Sequence, residues 1–526
     1  MSVPSSPQDG ALARLPEEVL HNIFCLLKPW ELLCLARVSE RIQRVSLGIY
    51  YNRRGVDVSP TGIIDITREE DYDLLALLRI TTFFTRTGHI SVVFVFPKWS
   101  FMENIRNLTL ILRRLVSLDM ITLKFRFDPG TRIEEERRTA LLTTEARSSE
   151  YKGLSKELRA LFCTAFRVAG MVRILESEQL LEMVGGKLSN HFLVFPNTPV
   201  INRYKVAAKV RMNKIARLAS RKRKEKEPEA RHESSVVSLD IQSLVPLVPP
   251  LLSSTVICLN VQSKLRHLSF TTSSDDQVCW SPLLTNLRVP SLVELTMSSN
   301  SCTLSDLAKF VKRHLRVSIL DIRDFAPMPM PTELPRVANF AFRNLISVTA
   351  PSEVLGVFLS YPTDVAPRLG EAHLAITITE NRPFDLRRAW SALAPVVQRL
   401  QSLESFGLLV AYEAGESPFG KNLECEEKEK LVPLINVLTL RLQDDLEVDT
   451  FGPLTDWIME FTQTRELKLQ SVYPYPYPTQ IFFTESAVEA EEEKKRKREA
   501  FRQELSSRLV EMEKLETCDI FGKRYP

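Results

Sequence analysis

Leu15-Pro16-Glu17-Glu18-Val19-Leu20-His21-Asn22-Ile23-Phe24-Cys25-Leu26-Leu27 and, directly after it, Lys28-Pro29-Trp30-Glu31-Leu32-Leu33-Cys34-Leu35-Ala36-Arg37-Val38-Ser39-Glu40-Arg41 decide how this chain is read. Pro16 suits the first turn of a helix, where a missing N–H costs nothing. Glu17 and Glu18 place negative charge at that helix's N-terminus, where its dipole favours it. Val19, Leu20, Ile23, Phe24 and Leu27 recur at helical spacing as one apolar stripe. Pro29 ends this helix and opens a second, lined by Leu32, Leu35 and Ala36. Ser39 caps a third, with Ile42, Val45 and Ile49 on one side. Three short helices in about 40 residues bury too little core to stand alone, so part of their apolar surface awaits a partner.

The pattern Leu-Pro-x-Glu-x-Leu-x-x-Ile-Phe-x-x-Leu, a Pro after the first helix, then Leu-x-x-Leu-Ala-x-Val-Ser-x-Arg resembles an F-box, over residues 12–55. Glu40 stands where that family often has a small residue. Tyr50-Tyr51 stand near the place of its usual Trp. The resemblance implies docking on a Skp-family linker and, through it, a cullin. It implies that Leu15, Pro16, Leu20, Ile23, Phe24, Leu27, Leu32, Leu35, Val38 and Ser39 build or support that interface, the deepest of them holding the fold. The alternative for the same residues is an ordinary three-helix cap with a buried stripe.

Further along, Ile63–Ile66 and Ile90–Phe96 read as strands, Asp71–Ile80 as a helix, and Ile121–Phe127 as an alternating strand closed by Asp128-Pro129-Gly130. Residues 56–130 are thus the first strand and helix units. Residues 131–200 read as helical: Leu154, Leu158, Leu161, Ala165, Val168, Val172 and Leu175 make a narrow seam, expected to pack within the chain rather than to pair two copies.

From Asn202 to His232 there are twelve positive and three negative side chains. We read residues 201–235 as a basic, disordered insertion, with Arg221, Lys222, Arg223 and Lys224 as a candidate nuclear-import signal. Nucleic acid is the weaker reading, since no aromatic beyond Tyr204 interleaves the charges.

Over residues 236–472 a period emerges. Leu268, Leu295, Leu320, Val348, Leu374, Phe406, Leu438 and Leu467 each sit in a short apolar run, 27, 25, 28, 26, 32, 32 and 29 residues apart. Helical stripes fit between several of them, such as Leu307, Ala308, Val311 and Leu315 after Ser305, or Val354, Leu355, Phe358 and Leu359 after Ser352. A strand-then-helix unit at this period must stack on its neighbours to bury its apolar face. It is similar to the irregular leucine-rich repeats found downstream of F-boxes, especially in fungal proteins. The fold class expected is therefore α/β: a three-helix F-box followed by an irregular leucine-rich-repeat-like strand and helix solenoid. Residues 473–526 read as a Pro/Tyr linker and a charged helix, Glu485–Glu516, that caps the last repeat or lies free.

Composition narrows the function. Net charge is only +4 over 526 residues, so no global attraction to polyanions follows. None of the eight cysteines forms Cys-x-x-Cys, and their scatter reads as reduced thiols of the cytoplasm, the nucleus or both. The stretch Leu244–Val261 is cut by three prolines and is no membrane span; Met1–Gly10 has no apolar core for a signal peptide. No phosphate-binding, dinucleotide, nucleophile-elbow or zinc-protease motif occurs, and the seven histidines are isolated. Asp275-Asp276, Glu424 and Glu426-Glu427 read as loop charges. The expectation is a non-catalytic, cofactor-free adaptor that brings an unknown protein substrate to a Skp-cullin-F-box ubiquitin ligase. Its rivals are a leucine-rich scaffold without a ligase and a nuclear nucleic-acid-binding protein.

Overall fold

The structure, a computed structural model, describes residues 15–67, 71–96, 101–127, 144–176, 236–243, 245–247, 251–271, 280–298, 302, 304–323, 342–378, 386–412, 426–442, 451–471 and 485–525. The chain divides into two compact units, Met1–Leu265 and Arg266–Pro526.

The first unit opens with α1 (Glu17–Phe24), α2 (Pro29–Leu35) and α3 (Glu40–Arg53). Ser39 caps α3 as its sequence position requires, its hydroxyl accepting from the Ile42 amide at 3.3 Å. The Glu31 carboxylate accepts from the Lys28 amide at 2.6 Å and fixes the start of α2. Arg53, at the far end of α3, donates to the carbonyls of Leu27 and Cys25 at 2.6 and 2.5 Å. It thereby satisfies acceptors that the end of α1 leaves open. Gly55, at φ 68°, takes the left-handed turn that ends α3.

The rest of this unit is strand and helix in alternation. The strands are β1 (Ile63–Ile66), β2 (Arg86–Phe96), β3 (Ser117–Phe127), β4 (Ala169–Glu176) and β5 (Ser238–Ile241), each parallel to the next. Between them run α4 (Tyr72–Ile80), α5 (Phe101–Arg114) and the helix Thr144–Val168; the helix Leu252–Asn260 follows β5. Register stacks like on like. Ile64, Ile90, Ile121, Val172 and Leu239 form one buried row, and Ile66, Val92, Leu123, Ile174 and Ile241 the next. A strand that buries alternate residues against helices covers one face only, which is why each strand needs its neighbours.

Here the structure corrects the helical reading of 131–200. The helix stops at Val168, and Val172 and Leu175 lie in β4. Val172 and Ile174 alternate into the core at spacing two, and Gly170 leaves room for the Asp119 carbonyl 3.1 Å from where a Cβ would stand. A β-branched alternation beside a glycine overrides a heptad match of two positions. The preceding part of the seam packs inward, with Leu158, Leu161, Ala165 and Val168 buried.

In the second unit β6 (His267–Thr271), β7 (Glu294–Ser298), β8 (Ile319–Arg323), β9 (Ser347–Ala350), β10 (Glu371–Ile378), β11 (Ser405–Tyr412), β12 (Val437–Leu442), β13 (Glu466–Ser471) and β14 (Thr517–Ile520) are all parallel. β15 (Lys523–Tyr525) turns back antiparallel on β14. All eight residues that set the sequence period fall in β6 to β13. Leu268, Leu295, Leu320, Val348, Ala372 and Phe406 align in register, as do Leu374, Leu408, Leu438, Leu467 and Cys518. The partner of Val348 is Ala372, so Leu374 belongs to the adjacent row.

The charged C-terminal helix packs on the repeat and does not lie free, while the Pro/Tyr stretch expected as a linker lies outside the described residues. Within 473–526 the helix Glu485–Leu509 buries Phe501, Leu505 and Leu509 and hands the chain to β14, a further strand of the same repeat. The unpaired-thiol reading also gives way at one place: Cys163 and Cys258 form a disulfide within the first unit, with Cα atoms 5.9 Å apart.

Candidate partner-binding surfaces

The helical triplet has a core of its own. Leu20 and Phe24 of α1, Leu32 of α2 and Ile42, Val45, Leu47 and Ile49 of α3 are buried. The Tyr50-Tyr51 pair is buried as well, at the position of the family's Trp. Tyr51 accounts for how the triplet is held to the strands. Its hydroxyl meets Thr81 Oγ1 at 2.7 Å, beyond the end of α4. Burial pushes that phenol well above its usual pKa, so it stays a neutral donor. Gln43 adds two contacts, accepting from Thr82 N and Oγ1 at 3.2 and 2.8 Å. Arg114 of α5 donates to the carbonyls of Arg79, Leu78 and Thr81, all at the end of α4.

What remains outside is a second apolar stripe. Val19, Ile23 and Leu26 follow each other at helical spacing, one position away from the buried Leu20 and Phe24; Leu26 is 86% exposed. Trp30 at 62% and Val38 at 64% are also open to solvent. Large apolar side chains exposed together on a small helical group mark a contact surface. Among the sequence candidates, Ile23 and Val38 therefore lie on the outside, with Pro16 and Ser39 exposed beside them. Leu15, Leu27 and Leu35 are half-buried. Leu20, Phe24 and Leu32 hold the fold. Val19, Leu26 and Trp30 join the surface. Their signal in the sequence was the same helical spacing, shifted by one residue.

A second surface belongs to the second unit. There the residues that alternate away from the buried rows form an open sheet face with a depression of about 410 Å³. Asp321, Glu371, His373, Arg441, Glu466 and Lys468 line it. His373 lies across the neighbouring strand, over Gly407, its register partner. A Cβ on Gly407 would fall 2.9 Å from Cε1 of the imidazole and 3.2 Å from Cγ, and closer still to Nδ1. Burial holds this imidazole below the ordinary histidine pKa. Glu371, Asp321 and Glu466 pull the other way and Lys468 adds to the depression. Lys468 is itself paired with Glu466 at 2.7 Å. The face offers charge of both signs and hydrogen-bonding groups.

The remaining sequence candidates are placed as follows. His267 meets Glu294 at 2.9 Å on the adjacent strand. Arg221, Lys222, Arg223 and Lys224, with the rest of 201–235, lie outside the described residues, as do Asp275-Asp276 and Glu424. Among the described residues no group of three His, Cys, Asp or Glu side chains could hold a metal ion, and no helix is long and apolar enough to cross a membrane.

No curated protein matches the chain. A family model described as F-box-like matches residues 12–53. The match covers α1, α2 and all of α3, the same helices that carry the exposed stripe. The chain thus carries an F-box-like domain at residues 12–53, followed by a repeat of parallel strands and helices.

Proposed function

We propose that this chain is the substrate-recognition subunit of a Skp-cullin-F-box ubiquitin ligase. The observation that carries the proposal is the coincidence of the F-box-like match with an apolar stripe left open on helices whose own core is already buried. Val19, Ile23, Leu26, Trp30 and Val38 would contact the Skp-family linker, and the linker would recruit the cullin. The strand and helix region, leucine-rich in its buried rows, would hold the target, with the open face around His373 as its platform. The chain itself would perform no chemistry. It would raise the local concentration of the target's lysines near an activated ubiquitin carried by another subunit. Such an adaptor works in the cytoplasm or the nucleus.

The test uses the full chain and a purified Skp-family linker in a titration. Ile23→Asp and Trp30→Asp change exposed side chains and leave the triplet's core intact. Losing a central apolar contact costs about 2–4 kcal/mol, or roughly 30- to 1,000-fold in Kd. Val510→Asp, at a residue 83% exposed in the second unit, serves as the neutral control. Unchanged affinity in both stripe variants would remove the interface. No binding by folded wild-type protein would leave a scaffold unconnected to a ligase.

A further inference from the structure

Cys163 lies in the helix Thr144–Val168 and Cys258 in the helix Leu252–Asn260, two helices that pack on each other in the first unit. Their Cα atoms are 5.9 Å apart, inside the span that a disulfide requires. They are 95 residues apart in sequence, so nothing local brings them together. The repeat does so, by placing the helix before β4 beside the helix that follows β5.

Two further observations define what kind of bond this is. First, both cysteines are only partly buried, whereas Cys302 and Cys518 are buried. Second, the bond is not the only thing that joins the two helices. Leu161, Phe162, Ala165 and Phe166 on one, and Thr255, Val256 and Leu259 on the other, are buried around it. Partial exposure of the pair and apolar packing beside it are the features expected of a disulfide that opens and closes.

We propose that Cys163 and Cys258 form a reversible redox staple, closed by a low-molecular-weight disulfide and opened by thiols. In the closing direction one cysteine thiolate attacks a sulfur of oxidised glutathione, forming a mixed disulfide and releasing one glutathione thiolate. The second cysteine thiolate attacks the protein sulfur of that mixed disulfide and releases the other. Two protein thiols are oxidised, one glutathione disulfide is reduced to two thiols, and the two protons pass to solvent or to the released thiolates. The closed form ties down the chain on both sides of β4 and β5, which lie inside the loop.

The experiment compares full-length protein equilibrated with oxidised glutathione or with dithiothreitol, followed by differential alkylation, proteolysis and mass spectrometry. A peptide linking Cys163 to Cys258 should dominate in the first sample and vanish in the second. The oxidised protein should melt about 5 °C higher than the reduced one, since a loop this long restricts the unfolded chain strongly. Cys163→Ser and Cys258→Ser should each abolish that difference while keeping the reduced protein's melting temperature. Full alkylation of both cysteines after oxidation would overturn the proposal. So would a redox-dependent melting shift that persists in both serine variants. The peptide mapping on wild-type protein decides the matter even where a variant fails to fold.

Discussion

Gly407→Ala should destabilise the second unit even though alanine is ordinarily the better residue in a strand. Relative to glycine, alanine restricts the unfolded chain and favours folding by roughly 0.5–1 kcal/mol where its conformation is allowed. At Gly407 the backbone raises no objection, since its φ is not positive. The obstacle is the imidazole of His373, which occupies the space a Cβ needs, with Cε1 only 2.9 Å and Cγ 3.2 Å away. Ordinary carbon contacts begin near 3.5 Å. Either the ring leaves its place between β10 and β11 or the strands part. Overpacking of this kind costs about 1–3 kcal/mol, so the net loss is on the order of 1–2 kcal/mol. The assay is urea unfolding followed by circular dichroism on four proteins: wild type, Gly407→Ala, His373→Ala and the double variant. With the ring gone the three atoms nearest the added methyl are gone, so in the His373→Ala background Gly407→Ala should be neutral or stabilising. The coupling between the two sites is then at least 1 kcal/mol. Equal losses in both backgrounds would refute the argument, because the cost would then lie in the strand and not in the ring.

Two further outcomes are expected. Arg114→Met removes the donor shared by the carbonyls of Leu78, Arg79 and Thr81, and should cost about 1–2 kcal/mol after allowance for its partial exposure. Thermal unfolding measures it, and an unchanged melting temperature would mean that water replaces the guanidinium fully. Stability should also fall as pH drops below the ordinary histidine value of about 6.5. Burial depresses His314 against the opposing pull of the Phe310 carbonyl, 2.7 Å from its Nδ1, and its Nε2 accepts from the Val289 amide at 3.0 Å, which only the neutral ring can do. Arg313 and Arg288 lower it further. His89 and His373 are depressed as well, by burial first. The unfolded chain therefore takes up protons that the fold refuses, and the loss sets in below the unfolded value. His314→Gln should flatten the decline between pH 7 and 5, and an unaltered slope would clear His314 of that role.

The repeat was legible because its signal is redundant. Eight buried apolar residues at nearly constant spacing survive the failure of any one motif, and all eight fall in strands. The helical triplet was legible for a different reason: Pro16, Pro29 and Ser39 punctuate it with residues whose backbone chemistry has few other uses. Three things escaped besides the Cys163–Cys258 disulfide. The strand β4 hid behind a helix, since Val172 and Leu175 continue a heptad count by chance while the true alternation is Val172 with Ile174. The last strand hid behind a helix of twenty-five mostly charged residues, Glu485–Leu509, whose few buried side chains are too sparse to announce packing. The division of the F-box-like surface into buried and open stripes needs the position of α3. On α1 alone, Leu20 and Ile23 are equally apolar, and only the helix that covers one of them tells them apart.

The contacts of Tyr51, Gln43 and Arg114 have a mechanical consequence. The triplet is tied to the end of α4 by more than the chain that joins them, because the hydroxyl of Thr81, the amide of Thr82 and the carbonyls around them are engaged by the triplet on one side and by α5 on the other. The triplet is a handle forged to its blade. Gripped by a partner, it would turn β1 to β5 with it as one body. Cut off after Arg53, it would strip Tyr51 of its partner Thr81, so an excised domain would report the stickiness of a wound as readily as the affinity of a surface.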